Sequence, residues 1–424
     1  MKMTYKEILP GINLRVIESD AFETNCISIQ FVSEINNETA SKMTLVPRVL
    51  RRGTVKHPDM ESLAAELDEM YGARIEPVSR KYGDIISGGF VCDFVDPEKT
   101  LFGSVVKLLS EILFKPKLSD GIFVEEYVDG ERTNLIDEIK SEINNKLSYA
   151  HKKAVEIMFK NTPYAVSELG TEEEAEKIDS ASLYKYYKKL VCEAPCEIFF
   201  CGNTSFDEVK SAFLHMFSSL PARKGTKVKS GKPIYSELVR KKERLDISQA
   251  NLLVGMYNEN ADIYASKLLC AVIGGGTCSK LFVNVREKQS LCYFTGTMYD
   301  SFEKSMFLYC GIDPKNAKIA EKAVLDEFEN CVLAQITDEE IHNAKKGMID
   351  DIITVDDSLF SMEAFWLRAA LLGDERTPSE IAAYIRELDG EMLSDVARGF
   401  KTSVVYLLTG LEESENAAKL LPQA

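Results

Sequence analysis

The two halves of this 424-residue chain carry the same order of segments, and this repeat is the strongest constraint on its fold. In the first half, an apolar run that ends in Asp-Pro (90–97) precedes a helical run (101–113). In the second half, a similar run (308–314) also ends in Asp-Pro and precedes a helical run (320–333). The offset of about 210 residues matches the size of one domain, so we predict two tandem homologous domains.

Within each half, strand-like and helix-like segments alternate in an irregular order, which favours an α+β fold over a doubly wound parallel sheet. The basic stretch 221–233 contains Gly and Pro and nearly lacks large apolar residues, which is typical of a linker. We therefore predict an N-terminal domain at 1–222, a linker at 223–237 and a C-terminal domain at 238–424.

Charge and composition exclude several classes of function. The formal net charge of −16 opposes binding to nucleic acid or to an anionic membrane surface. No run of about 18 apolar residues is present, so no membrane-spanning segment is expected. Residues 1–10 contain no apolar run that could act as an export signal, and the ten cysteines form no Cys-x-x-Cys pair. These features predict free thiols and a cytoplasmic location.

The segment 40–54 ends in Arg-Gly-Thr at 52–54 and resembles the active-site helix of the insulinase, pitrilysin and mitochondrial processing peptidase family of zinc proteases. In that family, a His-x-x-Glu-His motif precedes such an ending at a fixed distance. Counted back from the ending, its two histidines and its glutamate correspond here to Thr44, Arg48 and Pro47. The resemblance therefore identifies a member of the family that has lost its catalytic motif.

These replacements are unsuited to zinc chemistry. A catalytic zinc site uses three protein ligands, which are neutral imidazoles or anions, together with a water molecule. Thr44 is a poor ligand, and Arg48 would place a permanent positive charge beside the metal. Pro47 stands in place of the general base, removes a backbone hydrogen bond and is expected to kink the helix. We predict no metal ion, no cofactor and no catalytic residue in this chain, and expect zinc only in an active partner.

Two acidic residues also match the family's pattern. Glu138 takes the position of the third zinc ligand, and Glu131 matches a second acidic residue one heptad earlier. We interpret both as remnants of the site on one face of a long helix. The alternative interpretation is a solvated acidic face opposite an apolar stripe, which extends from Leu135 to Ala150.

The glycine-rich segment 274–282 and the block 285–293 together resemble the family's signature in the second domain. In active members, an arginine and a tyrosine of this block reach the bound peptide near the zinc. The matching residues are Arg286 and Tyr293, whose guanidinium and phenol groups can donate hydrogen bonds to a peptide carbonyl. The alternative is that both side chains only pack within their domain.

The resemblance covers nearly the whole chain and implies a processing-peptidase-like metallohydrolase fold, in which each domain is a mostly antiparallel sheet covered by helices. It also implies a non-catalytic subunit that pairs with a zinc-bearing homologue and supplies chamber and surface for extended peptides. One alternative is a stand-alone homodimer that binds peptides or assists assembly. Another is a peptidase that acts on unstructured peptides through a non-standard site.

Overall fold

The computed structural model describes residues 2–96, 98–218, 220, 228 and 230–411. Of the predicted linker, residues 223–227 and 229 lie outside the described residues. Within the described part of the chain, no helix is both long enough and apolar enough to cross a membrane.

The regular elements up to residue 217 follow one another in this order: β1 (Met3–Leu9), β2 (Ile12–Glu18), β3 (Thr24–Glu34), α1 (Asn37–Leu50), α2 (Met60–Glu69), β4 (Arg74–Tyr82), β5 (Ile85–Val95), α3 (Phe102–Phe114), β6 (Leu118–Ser119), β7 (Ile122–Phe123), α4 (Glu125–Ser141), α5 (Lys146–Met158), α6 (Glu172–Glu176), α7 (Ser180–Glu193), β8 (Cys196–Gly202) and α8 (Phe206–Phe217).

The remaining regular elements are β9 (Val239–Arg244), β10 (Ala250–Tyr257), α9 (Ile263–Gly274), a π-helix (Leu281–Lys288), β11 (Cys292–Asp300), β12 (Ser305–Ile312), α10 (Ala317–Val332), α11 (Asp338–Ile353), α12 (Leu359–Leu372), α13 (Pro378–Glu387), α14 (Gly390–Arg398) and β13 (Lys401–Thr409).

Two sheets of mostly antiparallel strands repeat one topology. The first has the order β1-β2-β8-β3-β5-β4, and the second has the order β9-β13-β10-β12-β11. In each sheet a single parallel pair, β2 with β8 or β13 with β9, lies next to a run of antiparallel pairs. Strand β1 is the one addition in the first sheet. The fold is therefore α+β with two tandem homologous domains, as the sequence predicts.

By packing, the chain divides into two compact units that do not follow the sequence halves throughout. Unit 1 contains residues 1–141, 166–231 and 355–375, and unit 2 contains the remaining segments. Helix α5 therefore groups with the second half, and helix α12 groups with the first. Each sheet thus packs against one helix whose residues come from the other half of the sequence.

A break in the predicted long helix allows this exchange. The apolar stripe from Leu135 to Ala150 predicts one continuous helix, but that prediction is wrong. Helix α4 ends at Ser141, a 3-10 turn follows at Glu142–Asn144, and the Asn145 side chain caps α5 by accepting from the Ser148 amide. An asparagine cap starts a new helix, because its side chain satisfies an amide that has no partner within the helix.

Each exchanged helix is fixed by a carboxylate. In unit 1, the buried Glu363 of α12 accepts from Ser28 Oγ at 2.7 Å and from Arg80 Nη1 at 2.7 and 3.0 Å. In unit 2, Tyr149 of α5 donates its hydroxyl at 2.7 Å to Glu243 on β9. Burial and the contact with Glu243 raise the pKa of Tyr149 to about 12. The rest of each helix face buries apolar side chains on its sheet.

We expect Glu363→Ala to destabilise the protein by about 3 kcal/mol, because it leaves the Arg80 guanidinium without its carboxylate partner inside the packed face. The measurement is the change in free energy of unfolding in urea. The matched control is Asp326→Ala, which removes an exposed helix-surface pair with Lys322 and should cost less than about 1 kcal/mol. Equal, small losses in both variants would show that the Glu363 contacts do not hold α12.

Candidate functional site

Helix α1 carries the positions that correspond to the lost metal motif. The Asn36 side chain and Thr39 form a capping box at its start, and nine of its residues are buried. The helix continues through Pro47 to Leu50, so the proline does not end it. Burial of the surrounding residues holds this turn in helical form although the proline provides no backbone N–H. The scaffold for a metal motif is present without the motif.

Thr44 is almost fully buried and is held by neighbouring polar groups. Its Oγ1 lies 3.1 Å from Ser79 Oγ on strand β4 and 3.3 Å from the carbonyl oxygen of Glu168. The hydroxyl is therefore engaged in a local network that joins α1, β4 and the segment before α6. Nothing in these contacts requires an ion.

Both acidic residues predicted as remnants pair with arginines of α1 or its C-terminal end. Arg48 Nη2 lies 2.9 Å from Glu138 Oε2, and Arg52 Nη1 lies 3.2 Å from Glu131 Oε1. A guanidinium now provides the positive charge that a metal ion would provide to Glu138. The two pairs join α1 to α4 at the place where the family's metal ligands would converge.

The residues present do not fit a zinc ion. Thr44 offers only an engaged hydroxyl, and Arg48 is a cation whose carboxylate partner would have to serve as a ligand. Within the described residues, no group of three or more His, Cys, Asp or Glu side chains is arranged to hold a metal ion. We therefore derive no metal-dependent step for this chain.

The Arg-Gly-Thr ending after α1 has a structural role in this unit. A Cβ atom at Gly53 would lie 2.7 Å from the carbonyl oxygen of Pro58, so no larger residue fits there without movement of the backbone. Thr54 is buried, and its backbone N–H donates to the carbonyl of His57 at 2.6 Å. Burial alone would raise the pKa of the Glu111 carboxyl, but hydrogen bonds from Thr54 and His57 lower it below its ordinary value. The ending thus fixes the chain where it leaves α1.

In unit 2, the structure brings together the two residues predicted to contact peptide. Arg286 lies in the π-helix and Tyr293 in the edge strand β11, and Arg286 Nε donates to the Tyr293 carbonyl oxygen at 3.0 Å. The guanidinium also lies over the Phe282 ring, 4.5 Å from its centroid, and pairs with Glu287 at 2.8 Å. The guanidinium is therefore held in one orientation.

Tyr293 presents its side chain to solvent. The pairing of β11 with β12 shifts by one residue between Cys292 and Phe294, so Tyr293 lies at a bulge. Its side chain is 61% exposed. A bulge redirects a side chain out of the regular sheet pattern. The phenol is thus available as a donor, and Arg286 supports its backbone.

Sequence reasoning did not identify Glu168 as a site residue. Its carboxylate accepts from Ser79 Oγ at 3.2 Å and from the backbone N–H of Lys81 at 3.4 Å. Burial raises the pKa of this carboxyl, and the nearby Glu138 raises it further, while the bonds from Lys81 and Ser79 oppose the shift. The sequence signal for this position is the segment 161–171, which resembles a connecting segment of the zinc peptidase family and has no distinctive ligand pattern.

Comparison with known proteins agrees with this geometry. Residues 177–348 match the family model described as the peptidase M16 inactive domain. The chain is 24% identical over 414 residues to the "Probable inactive metalloprotease YmfF" of Bacillus subtilis, covering 95% of this chain and 96% of that protein.

Solved structures share the fold over the whole chain. A conserved protein from Enterococcus faecalis aligns with a TM-score of 0.89 and 25% identity, covering 97% of this chain and 99% of that one. A peptidase M16 inactive domain from Pseudomonas fluorescens aligns with a TM-score of 0.80 and 15% identity, covering 97% and 99% of the two chains.

Fold and site together define a two-domain, metallopeptidase-like protein in which arginine–carboxylate pairs stand where the metal motif would be. Residues 177–348 match the peptidase M16 inactive domain, and nearly the whole chain is similar to a protein described as a probable inactive metalloprotease.

We expect the variant Thr44→His/Pro47→Glu/Arg48→His to bind one zinc ion, because removal of Arg48 releases Glu138 as a third ligand. Its peptidase activity should remain at least about tenfold below that of a zinc-bearing homologue, because the surrounding residues were not selected to orient the new ligands. Calorimetric zinc titration and cleavage of a fluorogenic peptide measure the two effects.

The control for this experiment is Thr44→His/Pro47→Glu, which keeps the Arg48–Glu138 pair and should bind no zinc. Full activity in the triple variant would show that the supporting residues are intact. Zinc binding by the control would show that Arg48 does not block the site.

Proposed function

We propose that this protein is the non-catalytic subunit of a peptide-processing pair, in which a homologous zinc-bearing subunit carries out the chemistry. The proposal rests on a difference between the site in unit 1, at the metal position, and the site in unit 2, around Arg286 and Tyr293. In unit 1, arginines neutralise the carboxylates at the metal position. In unit 2, Arg286 and Tyr293 keep an arrangement suited to hydrogen bonding with a peptide.

The retained scaffold supports the same proposal. Alignment over 95% or more of the chain with an inactive homologue and with solved structures means that both domains are kept although the metal motif is lost. A chain that had lost catalysis and had no other role would have no need to keep two intact domains. A partner that encloses a chamber and presents a binding surface would need both.

The proposed peptide contact uses hydrogen-bond donors. The exposed Tyr293 phenol would donate to a peptide carbonyl, and the guanidinium of Arg286 would hold the bulge that presents it. Charged or polar donors that are already oriented cost less entropy on binding than flexible ones. Extended peptides fit best, because their carbonyl groups are free to accept such bonds.

The proposal includes a cytoplasmic location. None of the ten cysteines, all of which lie among the described residues, forms a disulfide, and most of them are buried. A chain with so many cysteines and no disulfide suits a reducing compartment. We further infer that zinc is held only by the partner subunit.

Co-expression with a homologue from the same organism that carries an intact His-x-x-Glu-His motif tests the pairing. We expect a one-to-one complex in size analysis and peptide cleavage that requires both chains. A homodimer that binds peptide without the homologue would favour the stand-alone alternative. Cleavage by this chain alone would favour the non-standard peptidase site.

In the reconstituted pair, we expect Arg286→Ala/Tyr293→Ala to lower kcat/KM by about tenfold, because about one or two hydrogen bonds to peptide are lost. Complex formation should not change, and size analysis checks this. The matched control is Arg398→Ala/Tyr5→Ala, which removes an exposed arginine of α14 and an exposed tyrosine of β1. Unchanged kinetics in the first variant would reduce Arg286 and Tyr293 to packing residues.

A further inference from the structure

Strand β4 forms one edge of the sheet in unit 1 and lies beside the degenerate site. Its one neighbour in that sheet is β5. Along an antiparallel strand, the backbone groups of alternate residues point towards the neighbour and away from it. The carbonyl of Ile75 and the N–H of Lys81 both bond to groups outside the sheet, so residues 75, 77, 79 and 81 face the free edge.

At three of these four edge positions, one backbone group is not free to bond to an added strand. The carbonyl oxygen of Ile75 accepts from Arg51 Nε at 2.9 Å. Pro77 has no backbone N–H, and proline on an edge strand is a known device against strand addition. The N–H of Lys81 donates to Glu168 Oε2.

Glu168 is fixed in this position from several directions. Ser79 Oγ donates to its second carboxylate oxygen, and Thr44 Oγ1 donates to its backbone carbonyl. The next residues are anchored to α1, since Ser41 Oγ donates to the Leu169 carbonyl at 2.8 Å. Gly170 has a φ of +78°, and a Cβ atom there would lie 2.1 Å from Ser41 Oγ. A glycine is therefore required for this close approach.

We propose that Glu168 closes the edge of β4, its carboxylate occupying the place that the carbonyl of an added peptide strand would take. The inference rests on the proposed function and defines it more closely. In the proposed complex, the zinc-bearing subunit forms the main-chain hydrogen bonds with the peptide. This chain contacts the peptide through the side chains of unit 2 and offers no second strand-addition site that would compete for it.

The test compares wild type with the variant Pro77→Thr/Glu168→Ala, which restores one backbone N–H and frees another. The probe is a fluorescent, unstructured, proline-free peptide, used unmodified and with alternate backbone amides N-methylated. Anisotropy titration should show about a tenfold gain in affinity for the unmodified peptide only, because strand addition needs those amides. Glu168→Gln is the matched control. Its amide oxygen can still accept from the Lys81 N–H, so the edge of β4 should remain closed in this variant.

Wild-type protein that already binds the unmodified peptide about tenfold more tightly than the N-methylated one would overturn the proposal. The proposal would also be overturned if the double variant is folded by circular dichroism but binds the unmodified peptide no more tightly than wild type does. Exchange of the Lys81 amide, measured by NMR, provides a second arm and should be faster in Glu168→Ala than in wild type. If the edge opens as expected but no complex forms with a zinc-bearing homologue, the proposed function fails and the closed edge stands.

Discussion

Burial of the second face of each sheet is the constraint on which the rest of this structure depends. In unit 1, helix α12 covers an apolar surface formed by residues such as Cys26, Val91 and Phe199. Burying one large apolar side chain contributes about 1.5–3 kcal/mol, so a face of this size cannot be left in water. The requirement is met because α12, from the second half of the sequence, packs in unit 1, and α5, from the first half, packs in unit 2. The exchange in turn fixes where α4 must end.

At the degenerate site, charge neutralisation replaces metal coordination. Glu138 lies near the half-buried Glu168 and raises its pKa, and Glu131 lies on the same helix as Glu138. Arg48 of α1 and Arg52, just after α1, each place a cation against one of the two helix carboxylates. Because these pairs are partly exposed, each contributes about 1 kcal/mol or less, which is enough to set geometry but not to hold the fold. The fold itself is held by the apolar core of unit 1.

The repeat and the α+β class could be predicted, because local patterns of apolar residues and glycine indicate both. The pairing of Arg48 with Glu138 could not, since partner choice depends on how two distant helices pack. The role of Glu168 was hidden for the same reason: an acidic residue in a connecting segment has no distinctive periodicity. The helix break at 142–144 could not be predicted because the apolar stripe continues through it, while the start of the second helix depends on the Asn145 cap.

The packing of helix α12 in unit 1 also affects when that unit can complete its fold during synthesis. The segments 1–141 and 166–231 of unit 1 leave the ribosome before residues 355–375, and the 123 residues from 232 to 354 separate them. At about 5–20 residues per second, this interval lasts about 6–25 s. For that period the nascent sheet lacks its cover, and its apolar face is open to water, to a chaperone or to another nascent chain. The schedule of synthesis therefore sets how long this protein is vulnerable to aggregation.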